Sequence, residues 1–207
     1  MFNLFQMHCM KYSFETSLIN ERKHAEKADA FYKNVLQISE IIRYNTDSDS
    51  DLKMQLQDVD VLLRLNNISY KVSEKFREID YADLYIEVFS KYPQKKGWIH
   101  HGSANAVLYF TPKTVYWITF KSLSDFCLKT FFPLLPKVWF QELYKSNKTF
   151  FSKEFLFNGK IQKINLIKAQ SVSSDGCFWN TIGISVPFLF LKENGVKFIE
   201  FQLDKSN

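Results

Sequence analysis

The sequence predicts an α/β fold: a long helix, three strands, a short helix and a fourth strand, then a helical and β-rich C-terminal extension. Three observations carry this. Between residues 17 and 44, Ala25, Ala28, Tyr32, Val35, Ser39 and Ile42 recur at the three-four spacing of one helix face. From Gln55 to Arg77 apolar and polar residues alternate on either side of Asn66-Asn67, the pattern of a β-hairpin. Thr114 to Phe120, "TVYWITF", joins β-branched and aromatic residues as strands do.

Taken in order, the helix over 17–44 carries Glu21 on its apolar face, one turn before Ala25. An acid at a first turn suits the positive end of the helix dipole. "NTDSDSD", Asn45 to Asp51, reads as a polar, acidic connection. In the hairpin, Asn66 and Asn67 tolerate the positive φ of a two-residue turn, which sets Leu65 opposite Ile68. Counting back puts Asp60 opposite Ser73 and Asp58 opposite Lys75. Val59, Val61, Leu63, Ile68, Tyr70 and Val72 then share one face. Asp58, Asp60, Ser73, Lys75 and Arg77, with Leu62 among them, share the other.

This charge has two readings. Asp58 against Lys75 is the cross-strand ion pair that decorates many solvent-facing sheets. Alternation, however, sends Glu74 to the apolar face beside Val59 and Phe76. A carboxylate there is costly unless it is paired, bound to metal or rotated by a bulge. "DLYIEVFS", Asp83 to Ser90, reads as the third strand and repeats the misfit, with Glu87 between Ile86 and Val88. Acids in buried strands are frequent where metal-dependent chemistry is found.

After the loop "KYPQKKGW", "SANAVLYF" (Ser103 to Phe110) reads as the short helix and Thr114 to Phe120 as the closing strand. "KSLSDFCLKTFF" and "KVWFQELYKSN" read as helices separated by "PLLP". "FLFNGKIQKINLI", "FWNTIGISV" and "VKFIEFQL" read as strands, with turns at Asn158-Gly159 and Asn194-Gly195. The expected organisation is a core over residues 1–120, including the N-terminal helix, and an extension over 121–207 packed on it.

Bulk properties narrow the function classes. The chain has 207 residues, 46% hydrophobic, with 21 Phe, enough for a sizeable core. The longest apolar run, Ile184 to Leu191, is too short to span a bilayer, so no membrane partner is expected. The N-terminus lacks the basic start and small-residue cleavage site of a signal peptide. Three widely spaced cysteines, Cys9, Cys127 and Cys177, form no CxxC, so reduced thiols and a cytoplasmic location are expected. The adjacent His100 and His101 diverge on any regular element and make a weak ligand motif. Six glycines and no glycine-rich phosphate loop exclude the common nucleotide fingerprints. Residues 1–90 hold 11 basic and 15 acidic side chains, and residues 91–207 hold 16 and 7. That division suits a cation-binding centre beside a surface attractive to polyanions, although Lys, 23 of the 27 basic residues, also dominates ordinary solvated surfaces.

"QDVDVLL", "YKVSEKFR", "DLYIEVFS", "KGWI" and "VYWI" together resemble the PD-(D/E)XK nuclease superfamily, particularly its small phage and mobile-element members. The resemblance covers about Gln55 to Trp117. It implies a restriction-endonuclease-like αβββαβ core in which an acid on one strand and an acid-x-Lys on the next bind Mg²⁺ or Mn²⁺. These would orient a water for attack on a DNA phosphodiester. Carried over, Asp60 is the strand acid with Asp58 as its alternate, and Lys75 positions or deprotonates the water. Strict spacing puts Ser73 where the second acid belongs, so Glu74 through a bulge, or Glu87 from the neighbouring strand, would replace it. Glu21 matches the helix acid of some members, and Asn105 stands where Asp is expected. The implied activity is a metal-dependent deoxyribonuclease acting on DNA in a bacterial or phage-infected cell, and a homodimer is compatible with it. Ser73 keeps open a nuclease fold that has lost catalysis and serves as a DNA-binding or interaction module. A structural protein with surface ion pairs at the hairpin is a further reading.

Overall fold

The structure of the chain, a computed structural model, describes the backbone of residues 14–172 and 177–203 and the side chains of 23–171 and 177–203. Two compact units divide at Ile38. The first contains helix α1, Phe14–Asn34. Ala28 and Tyr32 of the expected apolar stripe are buried and Val35 is exposed. The helix stops ten residues short of the expected end, and Gln37 takes a positive φ of 53°.

In the second unit the chain order is β1 Glu40–Arg43, α2 Asp49–Gln55, β2 Val61–Leu65, β3 Ile68–Phe76, β4 Asp83–Lys91, β5 Lys95–Lys96, a 3-10 turn Trp98–His100, β6 Ala106–Phe110 and β7 Thr114–Thr119. There follow α3 Phe120–Asp125, which continues as a π-helical turn over Phe126–Phe131, then α4 Lys137–Lys145, β8 Phe150–Phe157, β9 Lys160–Val172, β10 Phe178–Pro187, α5 Phe188–Glu193 and β11 Phe198–Gln202. The fold is mixed α/β. One sheet has the order β1-β2-β3-β6-β7-β11 and the other β5-β4-β10-β9-β8. None of the described helices is long and apolar enough to cross a membrane.

The hairpin's turn and register form as expected, but its first strand is shorter than the pattern: β2 begins at Val61, Gln55 belongs to α2, and Asp58 lies outside the strand with φ of 55°. Asn66 and Asn67 have φ of 47° and 66°, Leu65 pairs with Ile68, and Val61 pairs with Val72. Val59, Val61, Leu63 and Val72 are buried together on one face. The C-terminal stretches read as helices and strands fall within α3 and its π-helical turn, α4, β8, β9, β10 and β11, while α5 is a helix the reading did not contain, and Asn158-Gly159 turns with φ of 48° and 75°.

Four further expectations are corrected. Residues 40–43 are a strand, β1, which pairs antiparallel with β2 and completes the hairpin's open edge. The β-branched Ile41 and Ile42 favour that role, and the helical spacing of Ser39 and Ile42 was incidental. The acidic connection at 45–51 runs into α2, whose N-cap is Ser48 and whose first turn holds Asp49 and Asp51. Ser103 to Phe110 contains no helix: Ala106–Phe110 is β6, buried at every position, and a strand buried on both faces shows no alternation. Finally, β4 does not extend the hairpin. It leaves for the second sheet and pairs with β10, while β3 takes β6 as a parallel neighbour.

Residues 121–207 supply the edge strand β11 to the first sheet and β8, β9 and β10 to the second. One continuous core joins both sheets. It runs from Leu84, Ile86 and Val88 of β4 through Val107 and Tyr109 of β6 to Ile182, Ile184 and Val186 of β10, closed by Phe131, Phe140 and Phe190. Asn105 begins the parallel pairing, with its side-chain oxygen accepting the Lys71 N–H at 2.8 Å and its own N–H donating to the Lys71 carbonyl. It acts there as a strand extension.

The apolar-face carboxylate is resolved by β1. Arg43 holds Glu74 through two bonds, 2.8 Å and 3.1 Å, with 6% of the Glu74 side chain exposed. Arg43→Ala should therefore lower unfolding free energy in urea by about 3 kcal/mol, whereas Arg43→Met combined with Glu74→Leu should recover most of it. Equal losses in the single and double variants would show that the pairing contributes little.

Candidate functional site

Asp58 owes its position to the exit of α2. Its N–H donates to the Gln55 carbonyl and the Val59 N–H to the Met54 carbonyl, while Asp58 itself takes φ of 55°. That left-handed conformation most often falls to Gly at a helix end, and Asp is among the few other residues that tolerate it. From there the carboxylate spans two side chains of β3. Oδ2 accepts the Ser73 hydroxyl at 2.6 Å, and Oδ1 accepts the Lys75 ammonium at 2.8 Å. Ser73 is fully buried, which leaves Asp58 as its partner on that face.

Asp60 lies just before β2 and plays a second part in the backbone. Its N–H donates to the Val72 carbonyl, and its Oδ2 accepts the Glu74 N–H at 2.7 Å, so the carboxylate takes over where the strand ladder stops. The same oxygen stands 4.0 Å from the Lys75 ammonium. Lys75 is thus held first by Asp58 and second by Asp60. The ammonium also lies over the Trp98 indole, 5.5 Å from the ring centroid.

Glu87 arrives from the other sheet. Its charge acts on Lys75. Gly97 makes that approach possible: a Cβ there would run into the Glu87 carbonyl oxygen and lie 2.9 Å from Glu87 Cγ. The 97–105 segment is anchored to the α2 exit as well, since Ser103 donates from its N–H to the Gln57 carbonyl and from its hydroxyl to Gln57 Oε1.

The structure therefore gathers Asp58, Asp60, Lys75 and Glu87 and separates Glu74 from them. Glu74 points to the opposite face of β3, where Arg43 neutralises it. Glu21 belongs to α1, and its side chain lies outside the described ones. Arg77 stays on the Lys75 side and pairs with Asp83 at 3.3 Å and the Tyr109 hydroxyl at 3.2 Å. Sequence reasoning missed Trp98, Gly97 and the bond from Ser73 to Asp58. The "KGW" triplet was the available signal for the first two, a glycine before a large aromatic in a basic loop.

Electrostatically, Asp58 and Asp60 pair with one ammonium, and the charge of Glu87 acts on it without an ion-pair contact. Burial pushes the Asp60 carboxyl above its usual range, Lys75 pulling the other way, and burial does the same to Glu87. For Lys75, burial works to lower the pKa, but Asp58 and Asp60 together outweigh it and hold the ammonium above its ordinary value. The cluster is thus over-supplied with negative charge. In donor type it suits a hard divalent cation. Among the described residues no three Asp, Glu, His or Cys side chains form a ready-made cage, and both Asp58 oxygens are engaged. An ion there would rest on one or two carboxylates and complete its shell with water and substrate oxygens, as Mg²⁺ commonly does.

The raised Glu87 carboxyl has a consequence for stability. A carboxyl that binds its proton more tightly in the folded state weakens the fold as pH rises above the ordinary Glu range. Glu87→Gln, which keeps the size of the side chain and removes its charge, should melt higher than wild type at neutral pH in chelator. The gain should vanish as pH falls below about 4.3, where Glu is protonated in both states. Melting curves across this range that differ by a constant amount would contradict the assignment.

No protein-family model, no curated protein and no solved structure matches this chain.

Proposed function

We propose that the chain is a metal-dependent nuclease hydrolysing DNA phosphodiester bonds at the Asp58–Asp60–Lys75–Glu87 cluster. The observation that carries this reading is the single Lys75 ammonium held by Asp58 at 2.8 Å with Asp60 4.0 Å away, while the charge of Glu87 acts on it from the other sheet. A surplus of carboxylate around one fixed positive charge is ill-suited to structural ion pairing and well suited to a divalent cation and a phosphate. A cation resting on Asp58 and Asp60 would supply Lewis acidity toward the phosphate oxygens.

Lys75 is held protonated, so its task is to orient an attacking water and offset charge on the phosphate, and it is not the base that deprotonates that water. Glu87 and Asp60, with raised proton affinity, are the groups fitted to accept the water's proton. As the water oxygen bonds to phosphorus, the ester P–O bond breaks and the departing oxygen takes a proton from solvent. Trp98 covers the ammonium and limits water around it. The positive balance of residues 91–207 supports DNA as the partner, since Lys–phosphate contacts provide affinity without sequence choice.

A second reading is favoured by Asp58, whose two oxygens are both occupied within the protein, by Ser73 and Lys75. On that reading the fold binds DNA without cutting it. Incubation with supercoiled plasmid and Mg²⁺ or Mn²⁺ separates the two. Wild type should nick or linearise the plasmid, chelator should stop it, and Lys75→Ala and Asp58→Asn should each slow cleavage by about 10²-fold or more. Cleavage retained in Lys75→Ala would overturn the role of Lys75. DNA binding without cleavage by wild type would establish the second reading.

A further inference from the structure

A cluster of three carboxylates repels the polyanion it is proposed to cut, so a strand reaching it needs positive charge close by. Such charge lies on the segment that carries Trp98. A cleft of about 630 Å³ is lined by Lys96, His100, His101, Leu128, Phe132 and Pro133. Its volume falls within the usual range for small-ligand sites. Every polar side chain lining it is a nitrogen base, with no carboxylate among them, so the group it selects is an anion. Leu128, Phe132 and Pro133 supply its apolar lining, and the Phe132 ring, 5.9 Å from the His100 ring and tilted 46° to it, offers an aromatic face on which a base can stack. Burial, and then the neighbouring Lys96 and His101, hold His100 below its ordinary pKa, so the positive charge lining the cleft comes chiefly from Lys96.

Its place in the chain ties it to the site. His100 and Trp98 share one 3-10 turn, Trp98 covers the Lys75 ammonium, and Gly97 lies against Glu87. We propose that this cleft receives a phosphate and its base from the DNA strand that occupies the site, and so positions that strand on it. The proposal rests on the nuclease reading for its substrate, but its test does not require cleavage.

The experiment measures binding of a fluorescein-labelled DNA duplex with a single-stranded tail, by anisotropy in chelator across a salt series. Wild type is compared with Lys96→Glu/His101→Glu, with the milder Lys96→Gln/His101→Gln, and with Asp58→Asn. Lys96 and His101 are exposed, so the substitutions leave the core untouched, and melting should be unchanged. The charge-reversed variant should bind about tenfold more weakly, and its log–log salt dependence should be shallower by about 1 for each phosphate contact removed. Asp58→Asn should bind at least as well as wild type. Unchanged affinity and salt slope in both cleft variants would overturn the proposal, and with plasmid cleavage intact they would leave the nuclease reading standing. Binding lost in the cleft variants, with no cleavage by wild type, would remove the nuclease reading and keep the cleft. A nucleoside monophosphate that competes as strongly as the unlabelled duplex would overturn the strand assignment in favour of a free nucleotide.

Discussion

Charge buried on both faces of one interior strand has to be balanced from both sides, and much of the surrounding structure serves that constraint. On one face of β3 lie Ser73 and Lys75, and on the other lies Glu74. Neither charge can be left alone at that depth, since an unpaired buried ion costs several kcal/mol, roughly the order of a small domain's whole stability. Arg43 on β1 answers Glu74. Asp58, at the exit of α2, answers Ser73 and Lys75. Two short elements with weak signals of their own are thereby fixed against the hairpin.

The departure of β4 from the hairpin's sheet has a comparable effect on the site. Had the third strand continued a meander, Glu87 would have lain beside β3 in the same plane. By pairing with β10 it brings Glu87 towards Lys75 from the other sheet.

The site also departs from what would make the chain most stable. Asp58 sits in a left-handed conformation that Gly adopts more easily, and Asp60 and Glu87 are kept where ionisation is disfavoured. Asp60 shows how such a group is retained, because the same oxygen that faces Lys75 also accepts the Glu74 N–H and finishes the ladder.

Local periodicity was enough to determine the hairpin, its Asn66-Asn67 turn and its register, because each rests on contacts between near neighbours in the chain. It also indicated that Glu74 would need a partner, whereas Asp58 and Lys75 meet through the exit of α2 and not through the strand pairing that alternation put there. Which residue partnered Glu74 was decided by tertiary structure. Arg43 lies 31 residues away, in a segment whose apolar spacing imitates a helix until β2 offers it an edge. Tertiary structure likewise made β6 a strand, since a segment buried on both faces carries no alternation to read. It also set β3 parallel to β6 and put Glu87 within reach of Lys75. Pairings between strands distant in the chain depend on which edges are left open once the nearer pairs have formed, and that information belongs to the assembled sheets.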